Sequence, residues 1–256
     1  MKVRDGQTPT NAESEVSGIN GLCRIGGIAA LILIVYSLAM IVQLVLIGGQ
    51  PGTAAEAFSL LQHHRIVGLL RLDLPTVFVL PLYYLLFLGL FAALYQTDRA
   101  QAVLATSLAF VGVTLVLATP TALSMIPLSE KYAAATTEAA KSQLLAAGEA
   151  ILAADIWHAT GAIVGGILAQ CGAVLICLAM LRSKDFGKTT AYIGIVMHCL
   201  DLAHILFGLF LPVAGFVFMA VAGPLYPVWF FLVGTRLLKL ARTSSAKPLS
   251  AAAYQR

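Results

Sequence analysis

The sequence predicts an all-α fold: an integral membrane bundle of six transmembrane helices, with an extracytoplasmic helix between the third and fourth. Three observations carry this. Of 256 residues, 59% are hydrophobic and only 11% charged, against about a quarter charged in soluble proteins. The apolar residues are blocked into runs of about 18 or more, the length that crosses a bilayer core of ~30 Å as a helix. The ~10-residue alternating segments of a membrane barrel are absent.

Taken in order, the spans fall at 25–47, 74–95, 102–126, 157–181, 190–211 and 214–237. The first is too long for the h-region of a cleavable signal, and the acidic segment before it is too long for an n-region. Residues 1–21 are polar, contain Pro9 and show no period, which predicts a disordered cytoplasmic lead-in. Residues 22–242 form one six-helix domain, and 243–256 a disordered cytoplasmic tail. Only Pro212 and Val213 separate the fifth and sixth spans, and Pro224 and Pro227 interrupt the sixth. Proline removes a backbone donor and kinks a helix, which membrane helices tolerate where neighbours satisfy the freed carbonyl.

The basic residues sit at span ends and form neither a block nor a stripe, so the net charge of +4 gives no nucleic-acid surface. They set orientation instead. With the N-terminus inside, twelve of the 16 Lys and Arg face the cytoplasm, leaving Arg65, Arg71, Lys131 and Lys141 outside. This places the chain in the plasma or inner membrane, multi-pass, with both termini cytoplasmic. Cys23, Cys171, Cys177 and Cys199 lie in or against apolar segments, so no disulfide framework is implied.

Two outer connections are long enough for structure. Residues 54–71 have a short-helix pattern with Phe58, Leu61 and Leu69 on one side. Residues 129–154 are Ala-rich, with Ser129 as N-cap after Pro127 and a Glu138–Lys141 pair at i,i+3. The face of Leu144, Gly148, Ile151 and Leu152 is expected on the bundle or the headgroups, as a lid or strut.

Several short words share a texture with one known group: Leu128-Ser129-Glu130-Lys131-Tyr132-Ala133-Ala134-Ala135-Thr136, then Leu144-Leu145-Ala146-Ala147-Gly148, Met180-Leu181-Arg182-Ser183-Lys184, Thr190-Ala191-Tyr192-Ile193-Gly194 and Val228-Trp229. In these the chain, from about Leu22 to Leu240, resembles a bacterial and archaeal membrane family known as domain of unknown function 4386. The resemblance implies a single multi-helix membrane domain and carries over no active-site residue.

Candidate chemistry concentrates in the fifth span, where His198, Asp201 and His204 share one stripe about 120° wide. An Asp near mid-span costs ~2.5–3.5 kcal/mol on insertion scales, so it faces the bundle interior and takes a partner. Either histidine can be that partner through i,i+3. The trio can be packing glue, a proton, substrate or lipid pathway, or half of a metal site; zinc needs three or four ligands, and no obvious set supplies the rest. Tyr36, Tyr84, Thr114, Gln170 and Tyr226 sit near the midpoints of the other spans, as a ring around a central polar cavity would require. Gln170 joins the candidate site because its amide must find partners away from lipid.

Elsewhere, His63, His64, Arg65, Arg71 and Asp73 form an outer cluster, with Arg71 and Asp73 placed to hold the entrance of the second span. Trp157, His158 and Asp155 sit at an aromatic-belt position. Gly161, Gly165, Ala169 and Ala173 form a small-residue stripe suited to an internal helix contact, and assembly into a homo-oligomer stays open. No phosphate loop, nucleophile elbow or dinucleotide fingerprint occurs, so no catalytic residue or cofactor is assigned. Three function classes remain: binding or transport of a small molecule, proton or lipid in a central cavity; an intramembrane, metal-dependent enzyme acting on lipid; and a structural or interaction protein. Its certain partner is the bilayer.

Overall fold

A computed structural model describes residues 11–119, 121–155 and 158–245. Twelve helices account for it, and no strand occurs among the described residues. Six stretches are long and apolar enough to cross a membrane: Ser17–Leu46, Leu74–Leu94, Arg99–Ala134, Thr160–Arg182, Lys188–Gly208 and Pro212–Thr243. The chain is a polytopic membrane protein. Many large apolar side chains, among them Val45, Leu46, Phe210 and Val213, stand exposed on its outer surface, as a lipid environment favours.

The first span lies within α1 (Asn11–Leu46). The helix thus begins inside the expected lead-in, well before residue 22; the first ten residues, with Pro9, lie outside the described part. The second span is α4 (Leu74–Val79) followed by α5 (Pro81–Leu94), jointed at Pro81. The third is α6 (Arg99–Leu117), started by the Asp98 carboxylate accepting from the Gln101 amide at 3.0 Å. The fourth is α9 (Thr160–Arg182) and the fifth α10 (Lys188–Gly208). Trp157, the expected start of the fourth, lies outside the described residues. The sixth is split into α11 (Pro212–Ala222) and α12 (Leu225–Ser245) by Gly223 and Pro224. Residues 246–256, the rest of the expected tail, also lie outside.

Each span packs on its neighbours in sequence, and α12 closes the ring on α1. Small residues set the seams. A Cβ on Gly112 would strike the Ala169 and Gly165 backbone, and one on Gly165 would meet Gly112 O at 2.7 Å. The α9 stripe therefore lies against α6 inside one molecule. Gly26 and Gly89 bring α1 and α5 equally close. At one end Arg182 binds Asp98 at 3.0 Å and Gln101 at 3.2 Å, and the Arg236 guanidinium donates to the Asp185 carbonyl.

The opposite end carries a cap of α2 (Ala54–His63), α3 (Arg65–Arg71), α7 (Ala122–Ala134) and α8 (Glu138–Leu152). Its core is Phe58, Leu61, Leu72 and Met125, with Leu145, Ile151 and Leu152 packed on it. Two expectations are corrected here. The helix between the third and fourth spans is two helices: α7 runs through Pro127, and α8 starts at Thr137, whose hydroxyl accepts from Ala140 N at 3.2 Å. Ser129 is buried inside α7, its hydroxyl on the Phe58 carbonyl at 3.3 Å, so it caps nothing. Glu138 and Lys141 do pair, at 3.1 Å. Gly148 admits Phe58 and Ala54, and Glu149 accepts from Ala54 N at 2.7 Å, tying α8 down on α2.

Candidate functional site

The interior polar centre is built where α9, α10 and the first turn of α12 meet. Gln170 on α9 is its hub. Its amide nitrogen donates to Asp201 and, at 3.1 Å, to the Tyr226 hydroxyl. Its amide oxygen accepts from Nδ1 of His198 at 2.6 Å; an amide oxygen only accepts, so Nδ1 carries the proton. Tyr226 in turn donates to Asp201 at 2.8 Å. Four side chains from three helices thus form one network, with His198 buried and the other three partly buried.

Asp201 faces inward as its position demands, but its direct partners are on other helices. The Gln170 amide and the Tyr226 hydroxyl both donate to its carboxylate from neighbouring helices. His198 enters the network through Gln170. His204, one turn on, places Nδ1 at 3.0 Å from the Gly215 carbonyl of α11 and stays within electrostatic reach of Asp201. The close approach of Gly208 to Gly215, where a Cβ would sit at 2.7 Å, is what brings that carbonyl within range.

His198 is 4% exposed and Trp229 1% exposed. Among the described residues no hydrogen-bond partner reaches the buried imidazole Nε2 or indole Nε1, and the two rings meet edge to face at 5.0 Å. Gly194, one turn before His198, leaves room for the Trp229 indole beside Cys177.

The expected ring of mid-span polar groups resolves into separate pieces. Tyr36 bonds Thr76 at 2.6 Å, and Tyr84 bonds Thr114 at 2.7 Å on an exposed face. Only Gln170 and Tyr226 join Asp201. Tyr and Thr satisfy each other pairwise across a seam, so a midpoint position alone does not aim them at a common centre. Among the described residues no group of three His, Cys, Asp or Glu converges as a metal site, and the four cysteines are free.

The outer cluster also separates. Arg71 pairs with Glu56 at 2.8 Å and donates to the Gly49 carbonyl at 2.6 Å, rather than holding Asp73. The Glu56 carboxyl is held below its usual range, first by the Gly52 amide and then by Arg71. Arg65 reaches Glu130 at 3.4 Å at the mouth of a cap cavity of about 210 Å³ that Gln62 and Ser129 also line. His63 bonds its own helix, through Ser59 O at 3.0 Å. Asp73 is buried on a left-handed backbone, φ 59°. Burial, then the charge of Asp155, pushes its carboxyl up to about 6, with Thr76 opposing. Asp155 itself is buried and binds His158 Nδ1 at 2.8 Å. The sequence did not signal that Asp73 and Asp155, far apart in the chain, would be close enough for the charge of one to raise the carboxyl of the other.

No protein-family model matches this chain, no curated protein matches it, and no solved structure matches its fold.

Proposed function

We propose that this protein binds and moves a proton across the membrane at Asp201, with Gln170, Tyr226 and His198 holding the site, as a transporter in the plasma or inner membrane with both termini cytoplasmic. One observation carries the reading: a carboxyl near mid-membrane receives two donors from two other helices. An ionisable group at this depth is a functional site by default. Packing glue needs one satisfied pair; here a four-membered network surrounds a group able to exchange a proton. The interruption of the sixth span at Gly223 and Pro224 supports the same reading. It puts the start of α12, and Tyr226, at the network, and discontinuous helices meeting at the bilayer midplane are how secondary transporters build their sites. For the metal-dependent enzyme, no group of three His, Cys, Asp or Glu converges among the described residues.

The test is proton flux. Purified protein in liposomes enclosing a pH-sensitive dye is given a potassium diffusion potential. Wild type is expected to acidify or alkalinise the lumen with the sign of the potential. Asp201→Asn, which keeps the hydrogen bonds, is expected to lose the flux with thermal stability unchanged. Equal flux in both removes the proposal and leaves the network as packing. Orientation is checked with reporter fusions at Gln101, Ser142 and Lys184, expected inside, outside and inside; Ser142 in the cytoplasm refutes the assignment.

A further inference from the structure

We propose that the cap cavity is a binding site for a zwitterion that joins a primary ammonium to an anion through a short link, the chemistry of a phosphoethanolamine group. The site shares no residue with the Asp201 network and does not depend on proton binding there.

The cavity forms between the end of α2, the first residue of α3 and one face of α7. Leu61, Ile126 and Ala133 give it an apolar lining, and Gln62 and Ser129 a polar one. Its wall is fixed by hydrogen bonds. The Gln62 amide donates to the Ser129 carbonyl at 3.1 Å, and the Ser129 hydroxyl donates to the Phe58 carbonyl at 3.3 Å. Both bonds tie α7 to α2, so the space of about 210 Å³ is preformed. At ~30 Å³ per water it matches the volume of about seven waters, a size that suits a phosphate carrying a two-carbon amine.

Arg65 and Glu130 complete the lining with opposite charges. They approach to 3.4 Å, and their side chains are 60% and 64% exposed. Charge-assisted hydrogen bonds close to about 2.7–2.9 Å, so this pair is loose, and exposed pairs hold weakly in water. A ligand bearing both charges exchanges it for two closer contacts. The Arg65 guanidinium offers a planar fork to two oxygens of a phosphate or carboxylate. The Glu130 carboxylate only accepts, and takes N–H donors from a primary ammonium. A plain anion is repelled by Glu130 and a plain cation by Arg65, so a zwitterion is the charge type that fits.

The cavity's neighbours put it at headgroup level. Leu123, one turn before Ile126 on α7, is 56% exposed, and Ile66, next to Arg65, is 75% exposed. Large apolar side chains standing open beside exposed charges mark the boundary between hydrocarbon and water. A phosphoethanolamine lipid carries its headgroup to that boundary, and a free zwitterion reaches it from solution.

The test is native mass spectrometry of the purified full chain in detergent, titrated with phosphatidylethanolamine, phosphatidylcholine and phosphatidylglycerol of identical acyl chains. Phosphatidylethanolamine is expected to bind about tenfold tighter than either of the others. A quaternary ammonium has no N–H for Glu130, and a glycerol headgroup has no cation. Arg65→Gln and Glu130→Gln are each expected to abolish the preference while melting with wild type, since both side chains are exposed. Lys131→Gln, on the same helix but outside the cavity lining, is the control and keeps it. Lipid preference that millimolar O-phosphoethanolamine leaves intact assigns the site to the lipid. Binding of that compound, lost in both cavity variants, assigns it to a soluble zwitterion. Equal binding of the three lipids with no binding of O-phosphoethanolamine overturns the proposal, as does a preference that survives either cavity substitution.

Discussion

Replacing Gln170 with leucine is expected to destabilise the protein more than removing the acid it serves. The Gln170 amide joins three partners: Asp201, Tyr226 and His198. Interhelical hydrogen bonds in membranes average ~0.6 kcal/mol each, so three contribute about 2 kcal/mol. The substitution also strips His198 of its Nδ1 partner when Nε2 already has none, leaving the ring buried with neither nitrogen bonded, at ~1–3 kcal/mol. The total for Gln170→Leu is about 3–5 kcal/mol. Asp201→Leu removes two bonds, about 1 kcal/mol, and leaves Gln170 still bonded to His198 and Tyr226. Asp201→Asn keeps an acceptor for both donors and is expected to be neutral within ~0.5 kcal/mol. The insertion penalty of a mid-membrane Asp does not enter, because unfolding within a bilayer does not return the side chain to water. Thermal unfolding in nanodiscs should therefore rank wild type with Asp201→Asn, then Asp201→Leu, then Gln170→Leu. Finding Asp201→Leu the least stable of the four would refute the assignment of Gln170 as hub.

Two further outcomes follow from the cap and the seams. Because the Asp73 carboxyl is raised in the folded protein, to about 6, the native state binds its proton more tightly than the unfolded chain. That contribution is fully present below the unfolded pKa of ~3.9 and is lost as pH rises through about 6, by about 3 kcal/mol. Asp73→Asn should thus match wild type at pH ~4 and exceed it at pH ~8, read as the midpoint of thermal unfolding; no gain at high pH refutes the burial argument. Gly112→Val should separate α6 from α9, since its Cβ would land on backbone atoms that cannot yield. An expected loss of at least ~3 kcal/mol would show as aggregation on extraction, whereas wild-type behaviour would mean that this seam is loose.

Hydropathy made the six spans legible, because a bilayer demands long apolar runs whatever the neighbours are. It also made Asp201 and Gln170 legible, since a mid-span carboxyl or amide, unlike a hydroxyl that can bond its own helix, needs partners inside the bundle. Their pairing was not legible: which donor reaches Asp201 depends on the rotation of α9 and α12 about their axes, and Tyr226 looks like any other tyrosine until that rotation is known. The break between α7 and α8 was hidden by composition. An Ala-rich run favours helix on both sides of Thr137, so only the hydroxyl cap at Thr137 marks the boundary, while Pro127, the stronger signal, is absorbed within α7. Asp73 and Asp155 were both visible as charges beside spans, yet both are buried in the fold, which no local pattern announces.

What packs beyond Asp201, on the side away from the cap, bears on how the proposed transport proceeds. Along α12 away from the cap come Trp229, Phe230, Val233 and Leu237; along α10, Met197 and Ala191; along α9, Ala173, Ile176, Cys177 and Met180. All are at most 1% exposed. On the side away from the cap, Asp201 is backed by a close-packed apolar plug. Moving a proton through requires that plug to open, and its most exacting contact is Trp229 over Gly194, where an added Cβ would collide with the indole and with the Cys177 sulfur. Gly194→Ala therefore pushes Trp229 off its seat. The expected consequence is faster maleimide labelling of Cys177 in a protein whose other three cysteines are alanine, together with a stability loss of ~1–3 kcal/mol. Labelling and stability both unchanged would mean that the indole seals nothing, and the far side of Asp201 would have to be closed elsewhere.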